Sequence, residues 1–153
     1  MRAQRAAGSL GCLLLDIDDF KQVNDSHGHR AGDQVLKELS LLIKQQPRGT
    51  DVLARFGGEE FSALLVDSDQ AVTLEIAERI RRAIAELTIS LDDGHELQIT
   101  VSIGVSIYNG EDEGSDSLEI GELLIDRADQ ALYEAKNDGK NCLARYGDRD
   151  VSF

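Results

Sequence analysis

Nowhere in the 153 residues does an apolar run approach the roughly 20 residues needed to span a bilayer. The opening "MRAQRAAGSLG" is basic and small but lacks the apolar stretch of a signal peptide, so it reads as the tail of a helix or linker and nothing points to secretion. Basic residues are scarce: 16 Lys and Arg stand against 29 Asp and Glu, a formal net charge of -13. That shortage argues against a duplex-binding module, whose affinity comes largely from Lys and Arg on phosphates. It leaves room for a small phosphorylated ligand, because a metal ion can carry the positive charge locally. Only two cysteines occur, Cys12 and Cys142. Both lie in apolar, strand-like runs and are expected to be buried, reduced thiols rather than a disulfide or a metal site. The one proline, Pro47, stands with Gly49 where a helix should end. Repeats, low-complexity segments and internal linkers are all missing, so residues 1–153 are expected to form a single domain.

The remaining composition, 41% apolar and 29% charged, is that of a soluble globular chain. "CLLLDID" is a buried strand ending in acids. "DDFKQVNDSHGHRAGD" is polar and punctuated by glycine, hence mostly loop or broken helix. From about Ala31 to Gln45, Val35, Leu36, Leu39, Leu42 and Ile43 fit one helical face. "DVLARF" and "EFSALLV" are strands around Gly57 and Gly58. Asp69 to Leu87 is a second helix, with Leu74, Ala77, Ile80, Ile84 and Leu87 as its stripe and Glu78, Arg81 and Arg82 on the wet side. "TISLDDGHELQITVSIGVSIY" reads as strand, Asp93-Gly94 turn and long strand. "NGEDEGSDS" is a solvated acidic loop without EF-hand spacing. A third helix begins at a capping box of Asp116 and Glu119 and stops at Gly139, before a last strand, "NCLARYG". This order predicts an α/β fold with a central mixed sheet flanked by helices.

Acids gather where the chain turns. Asp16 and Asp18 end the first strand, and Glu59 and Glu60 follow the two glycines. Side chains alternate along a strand, so Asp16 and Asp18 share a face and at most one of Glu59 and Glu60 should meet Asp16. One or two carboxylates, completed by water and substrate phosphates, describe a magnesium site. Gly57 and Gly58 would permit a tight turn and leave space for a ligand. Taken alone, such a turn is more often just a solvated hairpin tip.

"GGEEF", Gly57 to Phe61, resembles the signature of the GGDEF domain of bacterial diguanylate cyclases. "LLLDIDDFKQVNDSHGHRAGD" is similar to that family's first strand and substrate loop, and "VSIGVS" and "ADQALYEAKNDGKN" to its later strand and last helix. The resemblance runs in the family's order from about Leu13 to Asn141. It implies a fold like nucleotidyl cyclase and polymerase palm domains, and the condensation of two GTP into cyclic di-GMP with release of two pyrophosphates. Carried over residue by residue, it implies Mg²⁺ (or Mn²⁺) held by Asp16, Glu59 and the carbonyl of Ile17. Glu59 would also accept the proton, with Glu60 in support. Apart from the resemblance, the bland reading of Asp18 is a strand-end acid that only tunes the field. Asn24 and Asp33 would read guanine, with His29 shaping the loop. Phosphates would meet the backbone N–H groups around Asp19, Phe20 and Lys21, together with Lys136 and Lys140. Lys21 would also stabilise charge developing in the transition state. At Lys140 the family often has arginine, so this chain keeps the charge but loses the bidentate fork. Arg48 and Asp51 of "RGTD", with Arg79, would form an inhibitory site for the product.

The family's lead helix and Asn-Arg loop ahead of the first strand have no counterpart here. The expectation is a fragment of a longer signalling protein whose other part senses a signal and drives dimerisation. Catalysis would need a homodimer, each domain holding one GTP. The domain itself would contact neither nucleic acid nor membrane and would be cytoplasmic, even within a membrane-anchored parent. Two other readings remain open: a cyclic di-GMP receptor, or a GTP-sensing regulatory domain, each with little turnover.

Overall fold

The first strand, β1 (Leu10–Ile17), occupies the middle of a sheet, and its alternate side chains feed two different cores. The computed structural model describes residues 8–46, 52–56, 59–109 and 117–147. After β1 come α1 (Phe20–His27), α2 (His29–Lys44), β2 (Val52–Phe56), β3 (Glu60–Val66) and α3 (Gln70–Glu86). They are followed by β4 (Ile89–Ser90), β5 (Glu96–Leu97), β6 (Val101–Tyr108), α4 (Ser117–Asn137) and β7 (Leu143–Arg145). The main sheet runs β2-β3-β1-β6-β7, antiparallel except for the parallel pair β6–β7, so it is mixed as expected.

Leu13, Leu15 and Ile17 of β1 join Phe61, Ala63 and Leu65 of β3 and Val101, Ile103 and Val105 of β6 on one face. That face packs against Val35, Leu36, Leu39 and Ile43 of α2 and Ile76, Ala77, Ile80 and Ile84 of α3. Cys12 and Leu14 point the other way, to Leu124, Ala128 and Leu132 of α4. On this second face β6 presents Ser102, Gly104 and Ser106, and their small size lets α4 approach closely. A Cβ on Gly104 would overlap the Ala128 carbonyl and the Leu132 backbone, and the Ser106 hydroxyl donates to the Leu124 carbonyl at 2.7 Å.

Several boundaries differ from the sequence reading. Of the two readings open for the stretch after β1, loop or broken helix, the structure has the second: α1 ends and α2 begins around Gly28, whose φ of 91° few other residues adopt. The long strand expected after Asp93-Gly94 is split. β4 and β5 pair only with each other, and β6 starts afresh at Val101. Gly94 does close the turn, with a φ of 90° and its N–H donating to Leu91 at 3.0 Å. Asp69 caps α3 by accepting from the Val72 N–H at 3.0 Å. The proposed cap Asp116 and most of the acidic loop lie outside the described residues. Cys12 is buried, which pushes its thiol up to about 11. Cys142 is only half-buried, because it lies just ahead of the short edge strand β7; both cysteines are free.

Two glycines in contact with the same helix should respond in opposite senses. Gly104→Ala drives a methyl into the α4 backbone, which cannot rotate away, and should lower stability by about 1–3 kcal/mol. Gly121→Ala, within α4 and with open space around it, should raise stability by roughly 0.5–1 kcal/mol. Urea denaturation of the two variants measures both.

Candidate active site

Sheet register brings the acids together. Asp16 lies directly opposite Glu60 across β1 and β3, and the Ile17 N–H donates to the Glu59 carbonyl at 3.3 Å. Asp16 shares the face of Cys12 and Leu14, which is the α4 side. There Lys136, in the last turn of α4, places Nζ 3.1 Å from Asp16 Oδ2. The other carboxylate oxygen of Asp16, Oδ1, is buried without a hydrogen-bond partner.

Glu59 and Glu60 both feel this neighbour. Burial pushes each carboxyl above the ordinary glutamate range, and the Asp16 charge pushes further in the same sense. Asp129 of α4 adds to the push on Glu60, and Lys136 offsets part of it on both. The expectation that only one of the pair could meet Asp16 is therefore corrected. Glu59 lies in the turn, not in β3, so strand alternation does not govern it. With all three carboxylates ionised none can donate to another, and Asp16 Oδ1 stays unpaired. A proton on Glu59 or Glu60, or a cation, would relieve this.

Asp18 has a different occupation. It is buried and accepts from the Thr100 hydroxyl at 2.7 Å, the Ser102 hydroxyl at 2.6 Å and the Asn141 N–H at 3.0 Å. Rather than merely tuning the field, it ties the end of β1 to the start of β6 and to the α4–β7 connection. Lys140 and Asn141 in that connection have φ of 66° and 49°, a left-handed backbone that asparagine tolerates and lysine seldom adopts, so the turn calls for restraint. The Asp18–Asn141 bond is one such restraint. Lys140 then reaches back, with Nζ 2.8 Å from Asp19 Oδ1. Asp19 is the N-cap of α1, and its side chain makes no capping hydrogen bond to the helix.

The corner between α1 and α2 carries the residues expected to read a base. Asn24 is half-buried against Gly32, where a Cβ would overlap Asn24 Oδ1 and crowd Phe20. The sequence reading passed over Gly32, although a glycine inside a helical pattern is a sign of close approach. Asp33 is exposed and lines a cleft of about 530 Å³ with Leu36, Lys37, Lys44 and Phe61. His29 opens α2 and is exposed. The Phe20 ring is buried, so a ligand could reach only its backbone. Lys21 points to solvent at 91% exposure and lies 3.7 Å from Asp25 rather than beside the carboxylates. Arg79 sits on α3, 3.9 Å from Glu75, in a separate cleft of about 460 Å³ shared with Glu78, Arg82 and Glu86. Arg48, Asp51, Gly57 and Gly58 lie outside the described residues.

The chain as a whole matches known proteins. Residues 1–142 match the family model described as diguanylate cyclase, GGDEF domain. The chain belongs to the GGDEF diguanylate cyclase family. It is 44% identical over 133 residues to diguanylate cyclase A of Treponema denticola, covering 87% of this chain and 34% of that protein. With the response regulator PleD of Caulobacter vibrioides it shares 40% identity over 143 residues, 93% of this chain and 30% of that protein. The chain thus spans about a third of these curated relatives, at 34% and 30% of their lengths. Among solved structures, the active GGEEF domain of a diguanylate cyclase from Vibrio cholerae superposes with a TM-score of 0.78 at 34% identity. That match covers 95% of this chain and 87% of the other. The GGDEF domain of DgcB from Caulobacter crescentus, in complex with c-di-GMP, gives 0.79 at 29% identity over 90% of this chain and 78% of that one. GGDEF cyclases are metal-dependent. The residues here suit a hard cation: three convergent carboxylates, one balancing lysine and a buried oxygen without a partner. Among the described residues, no helix is long and apolar enough to cross a membrane.

The raised Glu59 carboxyl gives a pH test in metal-free protein. Above the unfolded value of 4.5 the native state retains a proton that the unfolded chain has lost, so this group's contribution to stability falls as pH rises through the window up to its folded pKa. Glu59→Gln removes that penalty. In a chelator, the variant should be more stable than the parent at pH 7.5, with the difference shrinking toward pH 4. Denaturant unfolding at the two pH values checks it, and an equal change at both would contradict the assignment.

Proposed function

We propose that this domain is a diguanylate cyclase, condensing two GTP into cyclic di-GMP and two pyrophosphates across a homodimer. The observation that carries the reading is the convergence of Asp16, Glu59 and Glu60 beside Lys136, with Asp16 Oδ1 buried and unpaired. Asp16, Glu59 and the Ile17 carbonyl would hold Mg²⁺ or Mn²⁺, which when bound lowers the pKa of the attacking hydroxyl and neutralises phosphate charge.

In each half-reaction the 3′-hydroxyl oxygen of one GTP forms a bond to the α-phosphorus of the other. The bond from that phosphorus to the α–β bridging oxygen breaks, and pyrophosphate leaves with it. Glu59 takes the hydroxyl proton, a task that suits a carboxyl whose pKa is already raised. Glu60 shares its charge environment and supports it. Lys136 and Lys140 bind the phosphates, exchanging their present partners Asp16 and Asp19 for the incoming oxygens. The first backbone N–H groups of α1, from Phe20 and Lys21, add donors at a helix N-terminus. Lys21, 91% exposed, is free to swing toward charge developing in the transition state.

Asn24 and Asp33 select guanine. A carboxylate accepts from N1–H and N2–H while the amide both donates and accepts, so adenine would leave these groups unmatched. His29 shapes the corner between α1 and α2. Arg79 belongs to an inhibitory site for cyclic di-GMP, completed by Arg48 and Asp51.

GTP turnover tests the reading, with nucleotide stripped beforehand and product separated by chromatography. Cyclic di-GMP should appear with a steeper than linear dependence on protein concentration. Glu59→Gln should cut the rate by about 10²-fold or more, in the range of a lost general base. Arg79→Ala should leave the initial rate unchanged and weaken inhibition by product. Absence of product even from a forced dimer, with cyclic di-GMP still bound, would favour the receptor reading.

A further inference from the structure

Away from the carboxylate cluster, two histidines and an aspartate from distant parts of the chain converge on one point. His27 closes α1, while Asp93 and His95 lie on the β4–β5 turn. One ligand atom from each lies within 4.8 Å of the others. His95 Nδ1 is 3.0 Å from Asp93 Oδ1, and His27 Nδ1 is 3.8 Å from Asp93 Oδ2. The two imidazoles stand edge-on, with centroids 5.4 Å apart, so their nitrogens converge without the rings stacking.

We propose that His27, Asp93 and His95 form a binding site for a divalent transition-metal ion of the zinc class, separate from the site that would hold the hard cation. Two imidazoles and a carboxylate suit such an ion, whereas magnesium prefers an all-oxygen set. Ligand atoms around tetrahedral zinc stand on the order of 3.3 Å apart, as follows from bonds of roughly 2.0–2.1 Å. The two imidazole–carboxylate spacings, 3.0 and 3.8 Å, bracket that value. The carboxylate is already oriented, because Asp93 Oδ1 accepts the backbone N–H of His95 at 2.9 Å. The turn is also anchored to its neighbour helix: Gln34 Nε2 donates to the Ser90 carbonyl at 2.6 Å.

Exposure grades outward, with the His27 side chain at 21%, Asp93 at 46% and His95 at 68%, so a remaining coordination position faces solvent and can hold water. Arg30 lines the adjoining cleft of about 110 Å³ together with His27, Asp92 and Asp93, and the two acids there offset its charge. An ion in this place would tether the last turn of α1 to the β4–β5 turn. The same helix carries Asn24 one turn earlier, so occupancy would stiffen the corner expected to receive the base.

The test is direct binding to the purified chain. Protein freed of metal with a chelator is dialysed to equilibrium against Zn²⁺ in buffer holding millimolar Mg²⁺. Unfolding midpoints are followed in parallel. One equivalent of Zn²⁺ should bind and raise the midpoint. His95→Ala and His27→Ala should each weaken that equivalent at least tenfold, and the midpoint shift should vanish in both. His95 lies outside either core, so its variant should fold like the parent; His95→Gln repeats the test with a bulkier side chain. Absence of Zn²⁺ binding by the parent would overturn the proposal. So would binding unchanged in all the variants, which would place the ion on the thiols or the Asp16 cluster.

Discussion

Like charges forced together by strand register are the constraint on which the rest of the structure turns. Asp16 faces Glu60 across β1 and β3, Glu59 enters from the adjoining turn, and Lys136 is the cation paired with Asp16. Burial raises the two glutamates before any charge is counted, and Asp16 raises them further. An arrangement of this kind weakens a fold unless a proton or a cation enters it. Much of the second face serves to bring α4 within reach. Ser102, Gly104 and Ser106 keep the surface of β6 low, so that the helix lies against the strand and its last turn meets Asp16.

The cations that could receive phosphate are already engaged. Lys136 holds Asp16, and Lys140 holds Asp19. A triphosphate arriving alone would have to displace both pairs against a chain of net charge -13. Arriving with a divalent ion, it would bring compensation for the acids that it separates from their lysines. Under the proposed function, charge balance alone would couple nucleotide and metal binding. Asp18 works on the same assembly from behind. Its bonds to Thr100, Ser102 and Asn141 hold the left-handed backbone from which Lys140 projects.

Much of this was legible in the residues. The continuous apolar runs of β1 and β6, buried on both faces, the alternation of β3 and the stripes of α2 and α3 are all carried by the apolar pattern, and the element order carries the mixed sheet. Asp16, Glu59 and Glu60 stood out as acids at turns. What escaped depended on geometry that periodicity does not carry. A turn residue escapes strand alternation, so Glu59 and Glu60 both meet Asp16. The polar run from Asp18 to Gly28 left loop and broken helix undecided because α1 buries only Phe20 and Val23, too few to make a stripe. The break at Gln98–Thr100 hides inside a continuous β-forming run. Asp18 sits two residues from Asp16 at the same strand end, and its three donors, set against the unpartnered Oδ1 of Asp16, show that it is an anchor. His27 and His95, 68 positions apart, could be brought together only by the fold.

Manganese binding followed by electron paramagnetic resonance, in the presence of a non-hydrolysable GTP analogue, tests the central claim most directly. Asp16→Asn removes one charge from the cluster at nearly constant shape. It should weaken Mn²⁺ binding by an order of magnitude or more, while His95→Ala leaves the same site intact. Unchanged Mn²⁺ affinity in Asp16→Asn would contradict the account, since the unpaired Asp16 oxygen would then not be the place where the cation sits.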